Sequence, residues 1–336
     1  MEEEPNSGDI KTNTSETMQR TLRLATFNLL APCYKQHHGR TSEAFYDDIW
    51  TKRQKKCLEL LKESQADIIC LQEYWFDSPA FRNLYEAKDS EVGLATRYDF
   101  YGLKRPRHKE DGVGIFIDRQ KMKVNDVRKI IYGYHGLRCA LLIHASVREG
   151  TISHPSSSSP PSVSSPSSPS PSPSQPPNER QIIVANTHLT YPHSKSDDKL
   201  RLRQIVIFCI PIILSPSTPN GAAEELGIFV LGDFNGGDDH VYNLFQKAGF
   251  ASSYGQQHGG KEAAVTHLTH EGTAVGVDFI WYRTWNLGNG NLHNQGGETD
   301  GAAGGINKNE SKKVESKMTI TVNKSFALPK KDSTEV

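Results

Sequence analysis

From Leu22 onward, short β-rich runs alternate with segments whose apolar residues recur at helical spacing. Runs such as LRLATFNLL, QADIICLQE, GVGIFID, QIIVANTHL and GIFVLGD have the composition and length of strands. Helical spacing predicts four helices, over Trp50 to Ser64, Pro79 to Lys88, Asp197 to about Phe208, and His240 to Ala248. Many strands with interspersed helices indicate a layered α/β protein rather than a helical bundle.

Three segments lack the apolar pattern of a packed core. Residues 1–20 are acidic and polar, and we expect a disordered leader without the features of a signal peptide. Residues 151–180 are almost wholly serine and proline, which predicts a disordered insertion between two strands of one domain spanning 21–285. Its Ser-Pro steps make it either a phosphorylated site for signalling partners or a plain spacer. Residues 286–336 are rich in Gly, Asn and Lys, and we expect a largely disordered tail.

Composition excludes several classes of protein. Thirty-nine basic and thirty-nine acidic side chains cancel, so no global field attracts the chain to nucleic acid. Five cysteines without a CxxC pair predict a reduced protein of the cytoplasm or nucleus. The longest apolar run, IVIFCIPIIL, has about half of the roughly 20 residues that cross a bilayer, so we expect core and no transmembrane segment.

Polar residues stand where several apolar runs end or begin. A single such residue is usually a turn or surface residue, but strand ends in a layered sheet converge on one rim. Carboxylate and amide oxygens gathered there suit a hard cation such as Mg²⁺, with Mn²⁺ as a substitute. The residues concerned are Asn28, Glu73, His188, Asp233, Asn235 and Asp278.

A calcium-binding loop is a competing interpretation of DFNGGDD. An EF-hand loop that begins at Asp233 requires Gly at its sixth position and Glu at its twelfth. The sequence has Asp238 and Leu244 at those positions. We therefore reject an EF-hand at this segment.

The motifs TFNLL, ICLQE, NTHL, GDFN and VDFIWY occur in this order between Leu22 and Arg283. Together they resemble the endonuclease/exonuclease/phosphatase superfamily, whose fold is similar to DNase I. LATFNLLAP and NTHLTYPHSKSDDKLRLRQ most resemble the branch of nocturnin and the carbon-catabolite-repressor deadenylases. The resemblance implies a four-layer α/β/β/α sandwich and Mg²⁺-dependent phosphodiester hydrolysis.

The resemblance also implies a role for each matching residue. Glu73 would bind Mg²⁺ with help from Asn28, and His188 would donate a hydrogen bond to a phosphate oxygen. Asp233 would orient or deprotonate the attacking water, and Asn235 would stabilise the charged intermediate. Phosphodiester cleavage needs each of these contributions.

The chain departs from the family pattern near its C-terminus. In the family, an acid matching Asp278 orients a catalytic histidine in a Ser-Asp-His motif, but no Asp-His dipeptide follows Asp278 here. His293 does not resemble that motif. His267 and His270 could approach the site, but a turn or packing role is the favoured interpretation. The missing motif predicts reduced activity, and the sandwich would lack its final strands and leave an edge exposed.

Aromatic and basic residues near the motifs have two interpretations. Tyr74, Trp75, Trp281 and Tyr282 either stack on bases or pack in the core. KRPRHK, Lys104 to Lys109, is either a contact for a nucleic-acid backbone or a solvated loop.

The favoured function is a 3′–5′ RNA exonuclease of the deadenylase type. Two alternatives stay open: a phospholipid or inositol-phosphate phosphodiesterase, and a non-catalytic protein that binds phosphate or RNA.

Overall fold

In the computed structural model, apolar strand faces pair into two stacked sheets, and each sheet is covered by helices on its outer face. The structure describes residues 21–37, 39, 41–88, 93–148, 180–194, 196–213, 225–236, 240–268 and 273–286. The predicted leader, most of the Ser/Pro insertion, and the tail beyond 286 lie outside these residues. Among the described helices, none combines the length and apolarity needed to cross a membrane.

The strands are β1 (Leu24–Asn28), β2 (Gln36–His37), β3 (Thr41–Ser42), β4 (Ile68–Trp75), β5 (Tyr98–Lys104), β6 (Asp111–Asp118), β7 (Met122–Ile131), β8 (Cys139–Val147), β9 (Arg180–His188), β10 (Glu225–Asp233), β11 (Ala251–Ser252), β12 (His267–Leu268), β13 (Ala274–Val275) and β14 (Asp278–Asn286). The helices are α1 (Asp47–Glu63), α2 (Pro79–Glu86), α3 (Ser196–Ile213), α4 (His240–Lys247) and α5 (Ser253–Gln257), with a 3₁₀ turn at Glu43–Phe45. All four predicted helices are present, and so are the strands predicted from LRLATFNLL, QADIICLQE, GVGIFID, QIIVANTHL and GIFVLGD.

The first sheet has four strands in the order β1-β4-β6-β5, and the second has six in the order β11-β14-β10-β9-β8-β7. Helices α1 and α2 cover the first sheet through residues such as Trp50, Leu58 and Phe81. Helices α3 and α4 cover the second through Phe208 and Phe245. The architecture is therefore the α/β/β/α sandwich expected from the sequence. Strand β1 has a partner on one edge only among the described strands.

A third apolar cluster fills the space between the two sheets. Its residues come from alternate positions of β1, β4 and β6 in one sheet and of β8, β9 and β10 in the other. Side chains of a strand alternate between its faces. In β9, Ile182 and Val184 therefore face the opposite sheet, and the next residues on the same face are Asn186 and His188.

Asn186 links the two sheets by hydrogen bonds inside this apolar layer. Its amide nitrogen donates to Leu71 O at 2.9 Å and to Gly114 O at 2.8 Å, on β4 and β6. Its Oδ1 accepts from Gln72 Nε2 at 2.7 Å, and Gln72 also bonds Thr26 of β1. Asn186 and Gln72 are both fully buried. These directional bonds fix how the sheets are placed against each other.

We expect Asn186→Ala to destabilise the protein by about 2 to 5 kcal/mol, because it leaves buried polar groups of two sheets without partners. Asn125→Ala is the matched control, since Asn125 also bonds two side chains but lies at the surface. Its cost should be about 0.5 kcal/mol or less. Urea unfolding of both variants measures the difference, and equal losses would contradict a special role for Asn186.

Candidate active site

The polar strand ends meet at one open end of the layer between the sheets. In β1, β9, β10 and β14 the alternation that buries apolar residues between the sheets continues into polar ones. Leu24 is followed on its face by Asn28, Leu231 by Asp233, and Ile280 is preceded by Asp278. The sequence-predicted site residues therefore converge, although they come from distant parts of the chain.

The Asn28 amide joins two carboxylates that belong to different sheets. Its Nδ2 donates to Glu73 Oε1 at 3.2 Å and to Asp233 Oδ2 at 3.0 Å. Its Oδ1 accepts from the backbone N–H of Leu30 at 2.9 Å. Both ends of the amide are thus fixed, and the two acids are held on either side of one small group.

Glu73 reaches the site because β4 is interrupted by a bulge. The pairing of β4 with β6 shifts between Gln72 and Tyr74, and Glu73 has a φ of 53°. Gln72 faces the second sheet while Tyr74 packs toward the helices against Phe81, although an unbroken strand would place both on one face. The carboxylate of Glu73 also accepts from Ala31 N at 3.0 Å. The bulge re-aims this one side chain.

Asp233 and Asn235 lie at a tight turn after β10. Asp233 Oδ1 accepts from Asn235 N at 2.9 Å, and Asn235 Nδ2 donates to Leu189 O at 2.9 Å. Gly232, just before them, has a φ of 149°, and a Cβ there would lie 2.0 Å from Thr187 O. Only glycine allows β10 to approach β9 this closely, which brings Asp233 next to His188.

His188 is held by Arg138, a residue that the sequence analysis did not single out. Arg138 Nη1 lies 3.0 Å from His188 Nδ1, and His188 Nε2 lies 3.7 Å from Asp233 Oδ2. An arginine can only donate, so Nδ1 accepts and the ring proton stays on Nε2. Burial, and then the charge of Arg138, hold the pKa of His188 well below its usual range. The ring is therefore neutral and offers an N–H to the site.

Asp278 pairs directly with Asp233 across β10 and β14. Its backbone N–H donates to Thr266 Oγ1 at 3.0 Å, and its buried Oδ1 has no hydrogen-bond partner among the described residues. Burial and the neighbouring Asp233 raise its pKa well above the ordinary value. His267, which follows Thr266, is close enough for its charge to lower the pKa of Asp233, where burial acts in the opposite direction.

Negative charge dominates the centre of the site. Burial and the charge of Asp111 raise the pKa of Glu73, and the Asn28 hydrogen bond opposes that shift. Asp111 itself is fully buried and is paired with Arg105 at 3.1 Å. Repulsion among buried carboxylates is relieved by a cation, and the open Oδ1 of Asp278 is a further free oxygen donor.

These donors fit a hard divalent ion that keeps water or substrate oxygens. Mg²⁺ is usually bound by only one or two carboxylates, and the site offers those of Glu73 and Asp233, which the Asn28 amide nitrogen holds together. Within the described part of the chain, no group of three or more His, Cys, Asp or Glu residues forms a metal cage.

Comparison with known proteins identifies the family. A sequence model of the Endonuclease/Exonuclease/phosphatase family matches residues 25–298. The chain belongs to this family. Its enzymes hydrolyse phosphate esters and generally depend on a divalent metal. The family prediction from the five motifs is confirmed.

Two relatives from Arabidopsis thaliana align with most of the chain. One, described as an uncharacterized calcium-binding protein, is 30% identical over 275 residues, covering 80% of this chain and 52% of the relative. The other, carbon catabolite repressor protein 4 homolog 1, is 21% identical over 245 residues, covering 68% of this chain and 38% of the relative. The chain thus spans about half, or less, of the curated relatives it matches.

Solved structures show the same fold at low identity. The human nocturnin catalytic domain has a TM-score of 0.51 at 19% identity, covering 78% of this chain and 81% of that one. ANGEL2, a 2′,3′-cyclic phosphatase, has a TM-score of 0.52 at 17% identity, covering 78% and 82%. The DNase-I-like fold class expected from the sequence is confirmed.

The structure separates the two interpretations of the neighbouring aromatic residues. Tyr74, Trp75 and Trp281 are buried and pack in the core, and Tyr282 is partly buried. In the basic cluster, Arg105 is buried, Lys104 pairs with Asp77, and Arg107 is exposed. His270, His293 and the stretch without an Asp-His dipeptide lie outside the described residues.

We expect Arg138→Gln to raise the pKa of His188, because the substitution removes a neighbouring positive charge while glutamine still offers a hydrogen-bond donor. A pH titration of the imidazole NMR signals measures the shift. His144 is an internal reference, since burial lowers its pKa and Arg138 does not contribute. An unchanged His188 titration would contradict the role assigned to Arg138.

Proposed function

We propose that this chain is a metal-dependent phosphodiester hydrolase, and that RNA is its substrate. The observation that carries the proposal is the Asn28 amide, which holds Glu73 and Asp233 together across the two sheets. His188 adds a neutral N–H beside Asp233. A general base, hydrogen-bond donors and oxygen ligands for a cation are thereby gathered at one rim, as phosphodiester hydrolysis requires.

Each residue has a proposed role that agrees with its environment. Glu73 and Asn28 would hold a divalent ion, which neutralises charge on the phosphate and polarises it when bound. Asp233 orients and deprotonates the attacking water, and burial, which raises its pKa, makes it a stronger base than an exposed aspartate. His188 donates its Nε2 proton in a hydrogen bond to a non-bridging phosphate oxygen.

Asn235 and Asp278 have supporting roles in this proposal. The Asn235 amide nitrogen already donates to Leu189 O, so the geometry assigns it first to holding the Asp233 turn. A contact with the charged intermediate would use its second N–H. Burial and the charge of Asp233 raise the pKa of Asp278, which pairs with Asp233 across the strands and would support it there.

The favoured reaction is removal of nucleotides from the 3′ end of RNA. Support comes from LATFNLLAP and NTHLTYPHSKSDDKLRLRQ, which resemble the branch of nocturnin and the carbon-catabolite-repressor deadenylases. The calcium binding in the name of the other relative does not transfer to DFNGGDD, because Asp238 and Leu244 occupy the positions that need Gly and Glu.

The direct test uses 5′-labelled RNA with an oligo(A) 3′ end, in Mg²⁺ and in chelator. We expect stepwise 3′ shortening that falls by at least about 100-fold in Glu73→Ala and in Asp233→Asn. Glu59→Ala is the control, because Glu59 is exposed on α1. If folded wild-type protein releases no nucleotide but cleaves an inositol-phosphate diester or a phospholipid, the RNA assignment is wrong. Absence of all hydrolysis would favour the binding-only alternative.

A stability measurement tests the metal site independently of activity. Because the pKa of Glu73 is raised in the folded protein, its destabilising effect is absent below its unfolded pKa and grows as the pH rises. In chelator, the Tm of Glu73→Gln relative to the wild type should therefore rise from acidic to neutral pH, whereas that of Glu59→Gln should not change. Mg²⁺ should raise the Tm of the wild type and of Glu59→Gln, and much less that of Glu73→Gln. Equal Mg²⁺ effects in all three would rule out an ion at Glu73.

A further inference from the structure

Two loops beside the proposed active site present an exposed aromatic ring and an exposed guanidinium to solvent. The β5–β6 loop ends at Asp111, which pairs with Trp75 at the end of β4, two residues after Glu73. The β7–β8 loop ends at Arg138, which contacts His188. Tyr134 in the β7–β8 loop is 90% exposed, and Arg107 in the β5–β6 loop lies over its ring at 5.6 Å.

The β7–β8 loop holds Tyr134 in place from both sides. Within the loop, Tyr132 N donates to Arg138 O at 3.1 Å and closes its base. Gln204 of α3 donates to His135 O at 2.7 Å, and Arg105 Nε donates to Leu137 O at 2.9 Å. The ring of Tyr132 is buried, and its hydroxyl is 2.8 Å from Thr187 Oγ1. The β7–β8 loop is therefore well anchored, but the exposed ring of Tyr134 contributes nothing to core packing.

Arg107 differs from the other basic residues near the site. Arg105 is committed to Asp111, and Lys104 to Asp77. Arg138 is committed to His188. Arg107 has no carboxylate partner within the described part of the chain, and its φ of 63° is uncommon for a residue with a side chain. The guanidinium is therefore free to contact an anion while staying beside the tyrosine.

We propose that Tyr134 and Arg107 form a binding subsite for single-stranded nucleic acid next to the proposed active site. A base stacks on the Tyr134 ring, and Arg107 contacts the adjoining backbone phosphate. Aromatic rings next to cations are how single strands are held without sequence readout. The choice of ligand rests on the proposed phosphodiesterase function, because both loops adjoin strands that carry residues of the proposed active site.

Binding is measured first, by fluorescence anisotropy of a short labelled oligo(A) RNA in chelator, where no hydrolysis occurs. Tyr134→Ala should raise the Kd by about 5- to 150-fold, whereas Tyr134→Phe and Tyr134→Trp, which keep a stacking face, should bind as the wild type does. Arg107→Gln should weaken binding and reduce the slope of log K against log salt by about 0.7.

Matched controls separate this subsite from general surface effects. Val206→Ala changes an exposed apolar residue on α3, and Arg128→Gln removes a charge from the middle of β7. Both should bind RNA as the wild type does.

The outcomes distinguish this proposal from the proposed function. RNA binding that depends on Tyr134, without hydrolysis of any diester, supports the subsite and overturns the enzyme assignment. Hydrolysis of RNA with no effect of Tyr134→Ala on Kd overturns the subsite alone. No RNA binding by the wild type overturns it as well, and Tyr134-dependent binding to anionic lipid vesicles in its place would assign the pair to a membrane surface.

Discussion

The hydrogen bonds of Asn186 determine how the rest of the molecule is arranged. Apolar packing between two sheets is not directional, and alone it would tolerate sliding of one sheet over the other. Buried amide groups do not tolerate it, because a shift would leave Asn186 and Gln72 without partners at a cost of about 1 to 3 kcal/mol each. Asn186 lies two residues before His188 on the same face of β9. The relative placement of the sheets and the geometry of the site are therefore fixed together.

The hydrogen bonds of Asn186 and Gln72 stabilise the protein, whereas the charges at the candidate active site destabilise it. Carboxylates of Glu73, Asp233 and Asp278 are brought to one rim, where burial raises the pKa of all three and neighbouring carboxylates raise those of Glu73 and Asp278 further. Arg138 partly offsets this charge, and in doing so it also holds His188 neutral. A bound cation would offset the remaining negative charge and would attract the phosphate of a substrate. The same carboxylates would therefore both destabilise the free protein and support the proposed chemistry.

Several structural details could not be predicted from the sequence because they depend on residues that are close in space but distant in the chain. Strand β7 was not predicted, since its polar residues and lack of strict alternation suit an edge strand that is exposed along much of its length. Helix α3 continues through Pro211 to Ile213, beyond the predicted end near Phe208. Arg138 carries no motif of its own. Its importance comes from its distance to His188, which lies 50 residues away along the chain.

The sequence by itself determined the order of the four long helices and of the long strands other than β7, the family, and most of the polar residues that meet at the site. Alternation carries that information, because the apolar face of β1, β9, β10 and β14 continues into Asn28, His188, Asp233 and Asp278. Tertiary structure decided what alternation cannot encode. In an unbroken strand, Glu73 would face away from the second sheet, and the bulge in β4 turns its side chain toward the site. The partners of each carboxylate depend on how the two sheets pack together. This packing brings Asn28 and Asp233 into contact although they lie 205 positions apart in the chain.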